Sequence, residues 1–246
     1  MEVHAHTHTP RKKWTHYFWE FIMLFLAVFC GFLAEYQLEH KIEKERGREY
    51  IKSFREDLCK DTAILRQGIE FLKVLSTDGD TLVKIIHEGD FHSPAELKRL
   101  YEYNISALAG FGLSLTDRTE TQLKNSGGMR LITKKEVIDG IIDYWAGGKS
   151  ISAIETLVQE MRVKARDQSY RIFDSKYYLE TNTGGKREVA ANAQLVTNDP
   201  IALIEFGNRI AHYKNLMKGT YSKNLKRQMD KADTLIHIID KVYHLK

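Results

Sequence analysis

The stretch YFWEFIMLFLAVFCGFLAEYQL, residues 17–38, decides how this chain is read. From Phe21 to Ala34 it is unbroken apolar sequence, and adding Tyr17, Phe18 and Trp19 brings in a single charge, Glu20. As a helix rising ~1.5 Å per residue, residues 17–34 would extend about 27 Å, close to the ~30 Å hydrocarbon core of a bilayer. Tyr17 and Trp19 at one end and Tyr36 at the other stand where a membrane's aromatic belts lie. A helix apolar on every side rarely suits the core of a domain as polar as the rest of this chain. Residues 17–38 are therefore expected to form one transmembrane helix that carries Phe21, Leu24, Ala27, Gly31 and Leu33 through the membrane. Ala27 and Gly31 make a small-xxx-small pair, which lets two helices approach closely, and they are the candidate helix–helix contact. Glu20 lies in the first turn, shallow enough to reach headgroup water.

The flanks bear on orientation. Residues 1–16 form an expected disordered tail with His4, His6, His8 and His16, histidines that could ligate a divalent metal but have no preorganised geometry. Arg11, Lys12 and Lys13 precede the span, whereas the first cation after it is Lys41, behind Glu35 and Glu39. That asymmetry favours a cytoplasmic N-terminus and a domain outside the cytoplasm, although Lys44, Arg46, Arg48, Lys52 and Arg55 come next. No small-x-small cleavage site leaves the apolar stretch, and Phe29 before Cys30 does not suit a lipoprotein signal, so the segment is expected to stay attached as a signal anchor. The expected location is the inner (cytoplasmic) membrane, with the domain periplasmic. Cys30 and Cys59 are too far apart along a helix to pair.

Residues 39–246 are expected to form a helical extramembrane domain. Charged residues are 28% and hydrophobic residues 43% of the chain, the balance of a folded domain, and only 3 prolines interrupt helix. The net charge of +4 is spread among alternating acids and bases, which argues against a nucleic-acid face. Ile51, Phe54, Leu58, Leu65, Ile69 and Leu72 recur at helical steps, and Asp57 and Asp61 read as part of the solvated face. Gly47 is a candidate bend. The run Thr77, Asp78, Gly79, Asp80 is expected to stop that helix, with a short one at 81–87. Ser93, Pro94 and Glu96 read as a capping box with proline in the first turn. Thr116 is the expected cap of a helix at 117–124, ended by Gly127 and Gly128. Thr133 and Glu136 cap the next, which is expected to end near Gly147 and Gly148. Residues 151–179 read as another helix, 181–186 as a break, 186–198 as a surface loop, and Asp199-Pro200 as the start of a last helix of about 65 Å that runs to Val242. The fold class expected is all-α: one N-terminal transmembrane helix followed by an elongated antiparallel helical bundle.

The segment Leu123-Lys124-Asn125-Ser126-Gly127-Gly128-Met129-Arg130-Leu131-Ile132, then a helix ending Asp143-Tyr144-Trp145, resembles a family of uncharacterised bacterial single-pass membrane proteins. In that family a span leads into a charged helix, here residues 50–58, and the likeness covers roughly residues 10–150. Met129 and Trp145 depart from the pattern. The resemblance implies the architecture, and no activity, cofactor or site residue comes with it.

Catalytic constellations are missing from the sequence: there is no His-Glu-x-x-His helix, no Gly-x-Ser-x-Gly elbow and no P-loop. Gly110-Phe111-Gly112 lacks the strand a dinucleotide loop needs and reads as a hinge. His87, Glu88, Asp90 and His92 are the one loop cluster with metal-ligand chemistry; His212, His237 and His244 are unevenly spaced. The expectation is a non-enzymatic membrane-anchored helical scaffold, sensor ectodomain or accessory subunit, with no catalytic, metal or cofactor residues. Its partners would be the membrane and either another protein or a second copy of the chain. The alternative is a membrane-tethered metal-dependent hydrolase that uses the loop at 87–92.

Overall fold

A computed structural model describes residues 13–110, 112–179 and 188–245 of the chain. His4, His6, His8, Arg11 and Lys12 of the tail, Phe111 of the expected hinge and the break expected at 181–186 lie outside the described residues.

The first helix, α1, runs uninterrupted over Trp14–Glu88, 75 residues or about 112 Å. It begins inside the expected tail and passes straight through the expected stop at Thr77–Asp80. The turn-forming residues there are held in helix by their surroundings. Thr77 Oγ1 donates to the carbonyl of Lys73 and Thr81 Oγ1 to that of Thr77, each at 3.0 Å, so both hydroxyls are satisfied within the helix. Gly79 lies where a Cβ would come 3.3 Å from the Lys214 side chain, whose ammonium pairs with Asp80. The separate helix expected at 81–87 is the last part of α1.

From Gly47 onward α1 buries Gly47, Ile51, Phe54, Leu58, Asp61, Leu65, Gly68, Leu72, Leu75, Gly79, Leu82 and Ile86. Along these positions the steps alternate four and three, a 3.5-residue period that keeps one seam facing its partners, and Asp57, Thr62, Ser76 and Ile85 are buried beside it. Gly47, the candidate bend, is a contact instead. A Cβ there would lie 2.5 Å from the Leu131 carbonyl oxygen.

The next helices are short. α2 covers Pro94–Ala107 with proline in its first turn, as expected, but the Ser93 hydroxyl makes no cap bond and Glu96 pairs with Arg99 at 2.8 Å. α3 covers Arg118–Asn125 with Asp117, not Thr116, at its N-cap. Gly127, in the left-handed region (φ 63°), then turns the chain into a 3₁₀ turn at Gly128–Leu131.

α4 spans Lys135–Ser169 and passes through the expected stop at Gly147 and Gly148. Here too a glycine marks close approach rather than a break. A Cβ at Gly147 would collide with the side-chain oxygen of Gln228, whose amide donates to the Tyr144 carbonyl at 2.9 Å. The helix expected over 151–179 ends at Ser169. Beyond Ser169 the chain makes a turn, a 3₁₀ turn at Ser175–Tyr177, and β1 (Tyr178–Leu179) paired antiparallel with β2 (Glu188–Val189). Tyr101 on α2 is packed into this segment. Its hydroxyl donates to the Gln194 carbonyl at 2.7 Å and accepts from the Asp174 amide at 3.0 Å, and its ring meets Phe173 edge-on at 5.0 Å.

The last rod is α5 (Pro200–Leu216), a π-helical turn (Met217–Tyr221) and α6 (Ser222–Tyr243). Its seam includes Phe206, Ile210, Tyr213, Met217, Tyr221, Leu225, Gln228, Ala232, Leu235 and Ile239. The alternation of three and four is broken once, by three successive steps of four from Tyr213 to Leu225. One residue too many is present there, and the wider π turn absorbs it so that both halves keep the same face inward.

Contacts fix the arrangement. Arg55 pairs with Asp240, Gly79 abuts Lys214 and Ile86 touches Gly207, so the last rod runs antiparallel to α1. Gly140 abuts Leu235 and Asp143 pairs with Lys231, so the rod is antiparallel to α4 as well. The fold is all-α, an elongated bundle of three long rods in which the last runs antiparallel to both α1 and α4, with α2 and α3 closing its open side. The apolar core divides into two clusters. One, nearer the apolar end of α1, is built on Ile51, Phe54 and Leu58; the other, farther out, on Leu65 through Ile86.

Candidate functional site

Two features stand out: the apolar end of α1 and the layer that separates the two core clusters. Phe21, Leu24 and Leu33, expected in the span, are 65%, 68% and 45% exposed, and Ala27 and Gly31 are exposed too. Nothing lies within 4 Å of a Cβ placed at Gly31. This part of α1 is long and apolar enough to cross a membrane, and none of it is buried among the described residues. Phe21, Phe25 and Phe29 stack one turn apart, with ring centroids 6.3 and 5.9 Å from each other. Such a surface is costly in water and suits lipid. Glu20 lies 3.6 Å from His16, and both are half exposed.

The layer between the clusters is a polar one that the sequence reading does not single out. Asp57 and Asp61 are buried and not part of a solvated face, which corrects the sequence expectation. Asp57 accepts from Arg118 Nη2 at 2.9 Å, from the Thr119 amide at 3.1 Å and from the Thr119 hydroxyl. It thereby fastens the start of α3 to α1. Asp61 accepts from the Thr116 amide and from the Tyr144 hydroxyl, each at 2.7 Å. Thr116, expected to cap α3, serves α1 instead. Tyr144 receives the Gln228 amide on its carbonyl, so α4 and α6 each contribute a polar residue beside the two aspartates of α1. Burial raises the Asp61 carboxyl above its usual range against the lowering effect of its two donors. Burial, with Asp61 beside it, also raises the Tyr144 hydroxyl well above its ordinary value. The signal is present in the sequence: Asp61 occupies a seam position between Leu58 and Leu65.

Chemically this layer is closed. Both carboxylates have donors supplied by the fold, which is the arrangement that sets register in a bundle. The loop at 87–92 shows a different local arrangement. Glu88 pairs with Lys84 at 3.8 Å, and Asp90 accepts the His92 amide at 2.9 Å in a turn. Among the described residues no three His, Cys, Asp or Glu side chains come together in a way that could hold a metal. Gly110, of the expected hinge, is approached by the Arg162 guanidinium. Cys30 and Cys59 are both free and exposed.

No family model, curated protein or solved structure matches this chain. Its functional reading therefore rests on the residues themselves: an uncovered apolar helix, continuous with a bundle that buries one layer of paired polar groups.

Proposed function

We propose that the chain is a non-enzymatic, single-pass membrane protein whose bundle works by contact, as a scaffold or accessory subunit or, with a second membrane protein for output, a sensor ectodomain. The observation that supports this most is the unbroken helix from Trp14 to Glu88. A helix shared by span and core makes a tilt or rotation of one a movement of the other. In this reading the anchor lies in the inner membrane of a bacterium as a signal anchor, with the N-terminus cytoplasmic and the bundle periplasmic. Kinship with the bacterial single-pass family is part of the same proposal. The partner is another membrane protein or a second copy of the chain that meets it along Ala27 and Gly31. The outer face of α4, where Ile142, Leu157 and Val163 are 52%, 42% and 51% exposed, is a further contact candidate.

Photo-cross-linking in native membranes tests the reading, with the reactive residue placed at Leu157 or Ala27. A discrete adduct, with a second copy or with one other membrane protein, is expected. No adduct at either position, together with stoichiometric zinc that is lost in a His87→Ala, His92→Ala variant, would favour the tethered hydrolase. A periplasm-active reporter fused after Lys246 is expected to give signal; a signal only from cytoplasm-active fusions would reverse the orientation.

A further inference from the structure

At the end of the bundle next to the apolar segment, a cleft of about 770 Å³ opens between α1, the turn before α4 and the end of α6. Lys41, Lys44, Arg48, Arg130 and Lys134 line it, and Glu43 is the acidic wall residue among the described residues. Lys41, Lys44 and Lys134 are exposed and make no ion pair among the described residues. Arg130 is held 3.5 Å from Glu43, and Arg48 donates to the Tyr243 carbonyl at 3.1 Å, which offsets the negative end of α6 at the cleft. α4 begins at Lys135 beside the cleft with no side-chain cap hydrogen bond, and Glu136 in its first turn offsets the positive end of the helix, so the field there comes from the lysines and arginines.

The position of the cleft along α1 selects the ligand. At ~1.5 Å per residue, Lys41 and Lys44 lie about 5 and 9 Å beyond Leu38, at the depth of the headgroup layer outside a ~30 Å hydrocarbon core. We propose that this cleft binds the phosphate-bearing headgroup of an anionic membrane lipid, an inference that rests on the membrane reading of residues 17–38. A free phosphate would meet the same cations, but the cleft adjoins the bilayer surface, where anionic headgroups are concentrated. Its volume falls in the range of small-molecule sites and exceeds what one phosphate needs. A lipid held there would fix the height and rotation of α1 where it leaves the membrane.

The test uses the full chain in a nonionic detergent, titrated by calorimetry with short-chain phosphatidylglycerol, short-chain phosphatidylcholine and inorganic phosphate in separate arms. One saturable site for the glycerol lipid is expected, with weaker binding of the other two. A Lys41→Ala, Lys44→Ala, Lys134→Ala variant should lose the preference for phosphatidylglycerol over phosphatidylcholine. A control with the same charge loss elsewhere, Lys164→Ala, Lys218→Ala, Lys223→Ala, should bind as the unaltered chain does. Equal binding of the two lipids, equal losses in the two variants, or inorganic phosphate binding as tightly as the glycerol lipid would each overturn the proposal. Because the titration needs no bilayer, its failure is distinguishable from failure of the membrane reading, which the protection of Cys30 in membranes tests separately.

Discussion

Residues 14–46 and 47–88 of α1 belong to one helix and live in opposite surroundings. In the first part almost every residue is exposed, and the apolar side chains point in all directions. In the second, one seam with a 3.5-residue period is buried and the remaining faces are charged. The backbone is the same; only the distribution of side chains around it differs. That difference separates a part covered by the chain's own rods from a part that the described residues leave uncovered. Two glycines condense the contrast. Gly31 has open space around it, whereas Gly47 is pressed against the Leu131 carbonyl. The two cysteines repeat it, with Cys30 inside the apolar part and Cys59 on the outer face of the packed part.

The comparison breaks most visibly if core residues in the two parts behave alike. Leu82 is fully buried, so Leu82→Ala should lower the unfolding free energy of the bundle by about 2–5 kcal/mol. Leu24→Ala should leave it within about 0.5 kcal/mol. Chemical unfolding of the full chain in detergent, followed by circular dichroism, measures both. Comparable losses would mean that the apolar part packs on the bundle after all.

A smaller effect is expected at the glycines. Gly47→Ala pushes a methyl group into backbone and should cost about 1–3 kcal/mol, while Gly31→Ala should cost nothing in the same assay. A neutral Gly47→Ala would show that the turn at Gly128–Leu131 yields easily.

The smallest effect sharpens the comparison by pH. The folded carboxyl of Asp61 is held above its unfolded value by burial, so the native state keeps its proton longer than the unfolded chain. Its contribution is fully present below the ordinary carboxylate pKa and is lost as pH rises through the folded value. Asp240 and Asp174 are shifted downward by Arg55 and Lys176, so their windows lie below the ordinary value and do not overlap. Asp61→Asn should flatten the decline of stability with rising pH above the ordinary carboxylate range. At pH 7 it should change stability by about 1 kcal/mol at most, since one lost hydrogen bond is offset by removal of a buried charge. An unchanged pH slope in the variant would remove Asp61 from the account.

How much of this can be read from the sequence differs between the two parts. The apolar part is legible because length and composition alone identify it. The helical class, the start of α2 and the last rod are legible from period and caps. The runs at Thr77–Asp80 and Gly147–Gly148 mislead because local propensity there favours a stop, whereas tertiary contact holds the helix: Gly79 and Gly147 are small because Lys214 and Gln228 need the space. Asp57 and Asp61 mislead because charge suggests solvent, although the position of Asp61 between Leu58 and Leu65 already places it on the seam. After α4 ends at Ser169 the chain packs around Tyr101, far away in sequence, and no local pattern announces that.

The most direct measurement uses the two native cysteines. Both are exposed in the chain itself, so any difference between them must come from what surrounds the chain. In native membranes broken to expose both faces, a polar maleimide is predicted to modify Cys59 and to leave Cys30 unmodified until SDS dissolves the bilayer. Equal modification of Cys30 and Cys59 before SDS is added would contradict the account, because the apolar part of α1 would then lie in water.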